Sequence, residues 1–518
     1  MKKMNKYSNI ILMASLLLIP FLPGCYKDLG NYNYQDVPWL SIEFLGDNYT
    51  VRQDSSLIFR FEQPVKDTVN ARVMVKVTGE SLHETDLEYC WYRNDDTIRL
   101  PYLEVKLPPK QKFKTSYILR VTDKRTGLQY FRSVDIQTLT PFINSWFVLH
   151  GKENNRKIGS AQRDDSYISV IDDAYKKMND DNNPFVNATA LSYIRMGTTD
   201  YRNYGPELLL VASGDSLYGL RPFGMKIYKR YERMVPSGIY PRPKFYTTRD
   251  DQYRVSFFND DQGRAYFSCL FGFLYPVHPS EDNENYRIDK VGISSEQPLA
   301  VMWDNTHKKF YYYQYNPWIT FTDNVRNDEQ NWAKLLTFPE DAVSQAELDD
   351  IEVLSIFPSY RDYGEVAFNA LSINSRKEVY NYQTVLGEET DLRVEKYLLP
   401  GIELQYESRF AYSDAFENQF FYTNGASLYS YDMTNQESTL IYTAPTGSTI
   451  QKVMFRLLRE FYRHPSFTYQ IGLAINYSDR GEVVELELGH SGDVVNQYVY
   501  AGFGPIVDMV FAADEIDH

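Results

Sequence analysis

From Pro141 onward one short pattern keeps returning, and nothing else in the chain limits its architecture as strongly. An apolar residue is followed by a second one, usually aromatic, and then by alternation. The copies are Tyr167-Ile168-Ser169-Val170, Leu217-Tyr218-Gly219-Leu220, Leu274-Tyr275-Pro276-Val277, Phe310-Tyr311-Tyr312-Tyr313, Val379-Tyr380-Asn381-Tyr382, Leu428-Tyr429-Ser430-Tyr431 and Val484-Glu485-Leu486-Glu487. They lie roughly 36 to 69 residues apart, and a period near 50 with about four strands per unit is the signature of a β-propeller. Seven units averaging about 54 residues fill residues 141–518. A second piece reads as innermost strands: Ala188 to Ile194, Tyr253 to Phe258, Val353 to Phe357, Val453 to Leu457 and Ile506 to Phe511. The last comes after the final full copy, so it completes a blade begun near Trp146 and closes the ring. The alternative for this region is a second sandwich or an irregular β domain.

Two spacings are long enough for insertions. One, Arg221 to Tyr253, carries Lys226, Lys229, Arg230, Arg233, Arg242 and Lys244 with Tyr228, Tyr231, Tyr240 and Phe245 between them. The other, Tyr311 to Trp332, holds Tyr315, Trp318 and Trp332 and does not alternate like a strand, which favours a loop for its tryptophans; the alternative is that Pro317-Trp318 packs between blades. Residues 341–352 are acidic enough for a short helix.

The N-terminus fixes an expected location. Lys2, Lys3 and Lys6 precede an apolar stretch from Ile10 to Leu22, the layout of a secretory signal too short to span a bilayer comfortably. Leu22-Pro23-Gly24-Cys25 resembles a bacterial lipobox, which implies cleavage before Cys25 and its acyl and diacylglycerol modification. Residues 1–24 then form the signal peptide. Residues 25–38, polar and without periodicity, form a lipidated tether.

Residues 39–140 read as strand after strand. Leu57 to Phe61 and Ala71 to Val77 alternate with period two, Leu87 to Tyr92 and Tyr117 to Thr122 come next, and Asp123 to Gly127 turns into Leu128 to Val134. Several short strands with Trp91 on a central one suit an immunoglobulin-like sandwich. The fold class expected is therefore all-β, a sandwich followed by a seven-bladed propeller over residues 141–518.

Tyr89-Cys90-Trp91-Tyr92 with Val121 to Gly127 resembles the pattern of PKD-like domains, and Cys25 to Asp28 with Asn31-Tyr32-Asn33-Tyr34 is similar to PKD-like lipoproteins of the Bacteroidota. The resemblance covers roughly the first 140 residues. It implies the company of an outer-membrane, TonB-dependent nutrient transporter and its lid lipoprotein. It also implies a lipid-anchored position facing the cell exterior, because Lys27-Asp28 looks like a truncated acidic export signal.

Composition and motifs narrow the chemistry. A net charge of -15 and a pI near 5.1 argue against nucleic acid, whose phosphates need a basic face, and against docking on anionic lipid by charge. Cys90 and Cys269 are the only thiols after Cys25, so no disulfide framework or four-cysteine metal site exists; they read as buried apolar residues or one long-range bridge. Tyrosine numbers 44 and aromatics make 15% of the chain, a usage that suits half-buried strands and ligand surfaces alike. There is no Gly-rich phosphate loop, no Gly-x-Ser-x-Gly elbow and no His-Glu-x-x-His pair. His83, His150, His278, His307, His464, His490 and His518 are dispersed, without metal-ligand spacing, and Asn179 to Asn183 lacks the spacing of a calcium loop. No cofactor is expected beyond the lipid on Cys25.

The residues expected to meet a ligand or partner are Tyr315, Trp318, Trp332, Tyr228, Tyr231 and Arg230, the basic stretch with the last three reading otherwise as a solvated hairpin. They point to a non-catalytic binding protein for a glycan or peptide, or one docked on an uptake complex. The alternatives are a surface glycoside hydrolase or lyase using acidic doublets such as Asp172-Asp173, Asp260-Asp261 and Asp349-Asp350, or a purely structural subunit.

Overall fold

The computed structural model describes residues 39–45, 49–51, 56–60, 68–79, 81–108, 113–139, 142, 144–164, 167–180, 182–195, 207–214, 216–230, 244–246, 256–260, 262–268, 274–279, 286–294, 299–314, 332–336, 338, 342–359, 366–386, 392–416, 418–456 and 469–512. Cys25, Tyr231, Cys269, Tyr315 and Trp318 lie outside them. Among the described residues the chain is almost entirely β, and it divides into an N-terminal sandwich and a propeller.

The sandwich packs a sheet of Leu40–Leu45, Val69–Gly79 and Tyr102–Leu107 on a larger one ordered Tyr49–Val51, Ser56–Arg60, Gln129–Leu139, Lys114–Asp123, Leu87–Arg93 and Asp96–Ile98. Period-two alternation makes the core: Val73, Leu103 and Val105 of one sheet meet Trp91, Leu119, Val121 and Ile136 of the other. Trp91 is fully enclosed, with its Nε1–H donated to Leu100 O at 3.1 Å and its ring 5.8 Å from Phe44. The turn read at Asp123 to Gly127 is tied by its own aspartate, whose carboxylate accepts from the backbone and guanidinium N–H groups of Arg125. Gly127 supplies the positive φ of +72° that the turn requires.

Among the described residues, seven four-stranded antiparallel blades follow the sandwich. From inner to outer strand, blade 1 is Ile506–Ala512, Ser145–His150, Lys157–Asp164 and Tyr167–Ile171. Blade 2 is Ala188–Arg195, Glu207–Ser213, Ser216–Arg221 and Lys226–Arg230; blade 3 is Lys244–Tyr246, Ser256–Asn259, Ala265–Ser268 and Leu274–Pro279. Blade 4 is Ile288–Ile293, Leu299–Asp304, Lys309–Gln314 and Trp332–Leu335; blade 5 is Ile351–Ser359, Val366–Asn374, Val379–Leu386 and Leu392–Leu398. Blade 6 is Phe410–Ala411, Gln419–Asn424, Ser427–Asp432 and Glu437–Thr443; blade 7 is Thr449–Phe455, Gln470–Asn476, Gly481–Leu488 and Val494–Phe503. The expected ring closure is present: Ile506–Ala512 pairs antiparallel with Ser145–His150, Trp146 facing Phe511 in register. Packing continues around the ring, and the inner strand of blade 1 lies against those of blades 2 and 7.

Three details differ from the sequence reading. The piece Tyr253 to Phe258 runs into the second strand of blade 3, Ser256–Asn259, because the three residues Lys244–Tyr246 already take the inner position. The basic stretch after Arg221 opens with the outer strand of blade 2, Lys226–Arg230, in place of an insertion. Trp332 begins the outer strand of blade 4 and is not in a loop; that strand also pairs in parallel with the outer strand of blade 3, His278 facing Trp332.

Among the described residues two short α-helices sit in blade-to-blade connections, Ala174–Met178 and Gln345–Asp349. The second is the acidic helix expected near 341–352. Ser344 and Glu347 form a reciprocal capping box, and Lys396 with Ser344 holds the Glu347 carboxyl down at about 2.

Candidate functional site

Two regions concentrate polar groups where the blades meet: the inner strands around the axis, and the seam between blades 7 and 1. The inner strands share a device. Thr189, Asp289, Leu354, Gln451 and Val507 are each an extra residue in the ladder of their blade, a bulge that re-aims the side chain after it. The next positions hold Ala190, Lys290, Ser355, Lys452 and Asp508. Asp508 uses its place fully: it accepts from Leu191 N of blade 2 at 2.7 Å and Met509 N at 2.9 Å, and pairs with Lys452 Nζ of blade 7. One carboxylate thus ties three inner strands.

The seam is organised by Glu485, on the third strand of blade 7 and 0% exposed. Its carboxylate accepts from Trp146 Nε1 at 2.7 Å, Arg456 Nε at 3.0 Å, Arg163 Nη2 at 3.4 Å and Tyr500 OH at 3.4 Å, with Arg456 Nη2 also bound. Trp146 and Arg163 belong to blade 1, so the cluster clasps the two blades that close the ring. The Arg163 guanidinium lies 3.6 Å from the Tyr498 ring centroid, and that of Arg456 4.6 Å from Phe511. Burial, and then the Glu485 charge, push the Tyr500 hydroxyl well above its usual range. Gly472 lets the Trp146 indole reach the site: a Cβ there would lie 2.4 Å from the indole.

The other buried acids among the described residues are Asp123, Asp260 and Asp304. Asp260 accepts from Gln262 N, Arg264 N and Arg264 Nε, and Asp304 from Arg287 N, Thr306 N, His307 N and His307 Nδ1. Asp304 ends the second strand of blade 4, Asp260 directly follows that of blade 3, and each shapes the turn beyond. His150 stands at the same place in blade 1, its Nε2–H donated to Asp172 O at 2.7 Å and Nδ1 accepting from Gly504 N at 3.0 Å. Burial lowers its pKa, so the neutral tautomer is the one the fold holds.

The acidic doublets have structural posts too. Asp172 pairs with Lys157, Asp173 caps the helix at Ala174–Met178, and Asp350 ends the helix at Gln345–Asp349. Asn179 and Asn183, in the calcium-like run, bond to the backbone of Tyr175, Met225, Arg156 and Phe185. Among the described residues no group of three His, Cys, Asp or Glu is placed to hold a metal ion.

Of the ligand-contacting residues read from sequence, Tyr228 and Arg230 share the outer strand of blade 2. Tyr228 is exposed and lies under the Arg221 guanidinium at 4.7 Å; Arg230 lies 5.2 Å from the Tyr218 ring centroid and donates to Ser216 Oγ at 3.3 Å. Trp332 starts the outer strand of blade 4, so these three are not brought together. Lys396 on Tyr380 and Arg480 on Tyr477 are similar pairs: the ring face takes a cation, while the hydroxyl donates to a carboxylate, Glu378 at 3.1 Å and Glu482 at 2.6 Å.

Comparison with known proteins bears on the first part of the chain. Residues 25–183 match the PKD-like family. This PKD-like match spans the sandwich and runs into blade 1. No match was found among curated proteins. Among solved structures the chain is similar to a quinonprotein alcohol dehydrogenase-like protein from Bacteroides thetaiotaomicron, at 12% identity, with 90% of this chain and 100% of that chain covered and a TM-score of 0.41. A putative 6-phosphogluconolactonase from Bacteroides uniformis matches at 10% identity over 71% of this chain and 99% of that one, with a TM-score of 0.40. The WD40 domain of SCAP from fission yeast matches at 10% identity over 78% and 93%, with a TM-score of 0.36. Likenesses this distant carry nothing about activity.

Proposed function

We propose that this chain is a non-catalytic surface lipoprotein. In this reading Cys25 carries the lipid that anchors it in the outer membrane, facing the exterior. The sandwich acts as a spacer, and the propeller captures a glycan or peptide or docks on a TonB-dependent transporter and its lid lipoprotein. The observation that carries the non-catalytic part is the state of the buried acids: Asp123, Asp260, Asp304 and Glu485 are each engaged by several donors of the fold. A general acid or nucleophile needs an oxygen aimed at substrate, and these oxygens are committed. The Leu22 to Cys25 run and the PKD-like match over residues 25–183 support the anchored, extracytoplasmic setting.

The test is a pull-down of the tagged, lipidated protein from its own outer membrane in mild detergent. Co-purification with a transporter and lid lipoprotein supports docking and makes that system's cargo the ligand. Recovery of a cytoplasmic, unacylated chain would overturn the proposal.

A further inference from the structure

Blades 5 and 6 enclose a patch of chemistry unlike the apolar packing beside it. In blade 5, Asn369 lies opposite Gln383, Gln383 opposite Glu395, and Asn381 opposite Tyr397. Alternate residues of a strand share a face, so these side chains and that of Arg393 stand on one side of the sheet. That side faces blade 6: Asn381 Nδ2 is 3.7 Å from Met433 Sδ, and Leu371 packs in one cluster with Phe420 and Tyr431. Burial rises steeply inward, from Tyr397 at 44% exposed to Asn381 at 2% and Asn369 at 1%. Across the gap, blade 6 presents Leu440, exposed and in register with Tyr429.

The carboxamides are bonded to one another, with one exception. Asn369 Oδ1 accepts from Asn381 Nδ2 at 2.8 Å and from Gln383 Nε2 at 3.0 Å. Among the described residues Asn381 Oδ1 is buried without a donor. A buried acceptor left unmade is destabilising, and an apolar side chain of similar shape would avoid it. Its presence here points to a donor supplied from outside.

We propose that the groove between blades 5 and 6 binds a neutral saccharide, with Asn381 at its base and Tyr397 at its rim; this rests on the capture reading above and names its site and ligand class. The groove parts on binding, and a sugar hydroxyl then donates to Asn381 Oδ1, which is shielded from solvent in the free protein. Neighbouring hydroxyls, which both donate and accept, match the polar rim, where Tyr397 OH already donates to the Glu395 carboxylate and Gln383 Nε2 to Asn369 Oδ1. The Tyr397 ring and Leu440 offer flat apolar surface to the C–H face of the ring. The rim carries one charge of each sign, Arg393 and Glu395, so it selects neither anion nor cation.

The experiment is calorimetric titration of the full-length lipidated protein in detergent with neutral oligosaccharides, acidic oligosaccharides and short peptides. Neutral oligosaccharides are expected to bind. Asn381→Leu and Tyr397→Ala should each weaken binding at least tenfold, while Asn381→Leu keeps or raises the melting temperature because it removes the unmade acceptor. Saccharide binding unchanged in both variants would overturn the groove and leave the capture reading standing. Binding of peptides alone, or of acidic sugars alone, would overturn the ligand class. No binding of any of the three would overturn both the groove and the capture reading. Should Asn381→Leu fail to fold, Tyr397→Ala, at an exposed rim position, decides the matter by itself.

Discussion

Replacing Glu485 with leucine should weaken the propeller more than any other single change at a charged residue in the ring. The carboxylate is wholly enclosed and shared by two arginines, an indole and a phenol. Removing it takes from the Arg456 guanidinium, 4% exposed, the carboxylate it pairs with. Breaking a buried pair on one side costs about 3–5 kcal/mol, whereas replacing both partners by packed apolar groups is often close to neutral. Arg163 has a way out, since its side chain is 18% exposed and already lies flat on Tyr498. Glu485→Leu is therefore expected to lose about 3–5 kcal/mol, and Arg456→Met combined with Glu485→Leu to recover most of it. The measurement is urea denaturation followed by circular dichroism and tryptophan fluorescence. It should be fitted with separate transitions for sandwich and propeller, because a two-domain chain need not unfold in one step. A loss below about 1 kcal/mol in the single variant, or a double variant no more stable than the single, would refute the argument that the seam is an electrostatic clasp.

The same seam and its surroundings give three further expected outcomes. Gly472→Ala should cost about 1–3 kcal/mol by driving a methyl into the Trp146 indole, read as a lower urea midpoint with unchanged slope; an unchanged midpoint would mean the two blades are not in close contact. Deleting residues 505–518 removes the inner strand of blade 1 and uncovers its partner Ser145–His150. The product should aggregate or become protease-sensitive, and a monomer as resistant as the full chain would refute closure by this strand. His150 gives a pH test: its folded pKa lies below 6.5, so the unfolded chain takes up more protons. Stability should fall as pH drops from about 6.5 towards the folded value, a fall that His150→Gln should flatten in melting curves across that range. Equal slopes in the two proteins would count against a buried, neutral imidazole.

How much of this was legible in the sequence depends on which strand is asked about. Third strands, like second strands, pack on both faces and pair on both edges, so they carry dense runs of apolar and aromatic residues. Five of the seven repeat copies fall there, in blades 2, 4, 5, 6 and 7. The copies in blades 1 and 3 are outer strands, Tyr167–Ile171 and Leu274–Pro279, which explains the short step from blade 3 to blade 4. The closing strand Ile506 to Phe511 was legible because it had no partner left in its own repeat. Blade 3 misled because its inner strand is three residues long, too short for a periodic signal. Trp332 misled because a four-residue strand, Trp332–Leu335, gives alternation almost no room.

The polar sites were not legible, because their parts are ordinary in isolation and meet only through the ring. Trp146 and Glu485 are 339 residues apart, and neither stands in a motif that carries known chemistry. Yet the repeat does contain the signal. Its second position holds Ile168, Tyr218, Tyr275, Tyr311, Tyr380 and Tyr429 in six copies and Glu485 in the seventh. A carboxylate where its counterparts are apolar or aromatic is a charge the fold must compensate, and compensation inside a propeller can come only from its own blade and the neighbouring ones. The same logic applies to Asn381, buried on a strand between Tyr380 and Tyr382. Glu485 has its donors within the ring, from blade 1 and blade 7, which marks it as part of the closure. Asn381 Oδ1 has none among the described residues. That difference, between a buried polar group the fold satisfies and one it leaves open, separates the clasp from the groove.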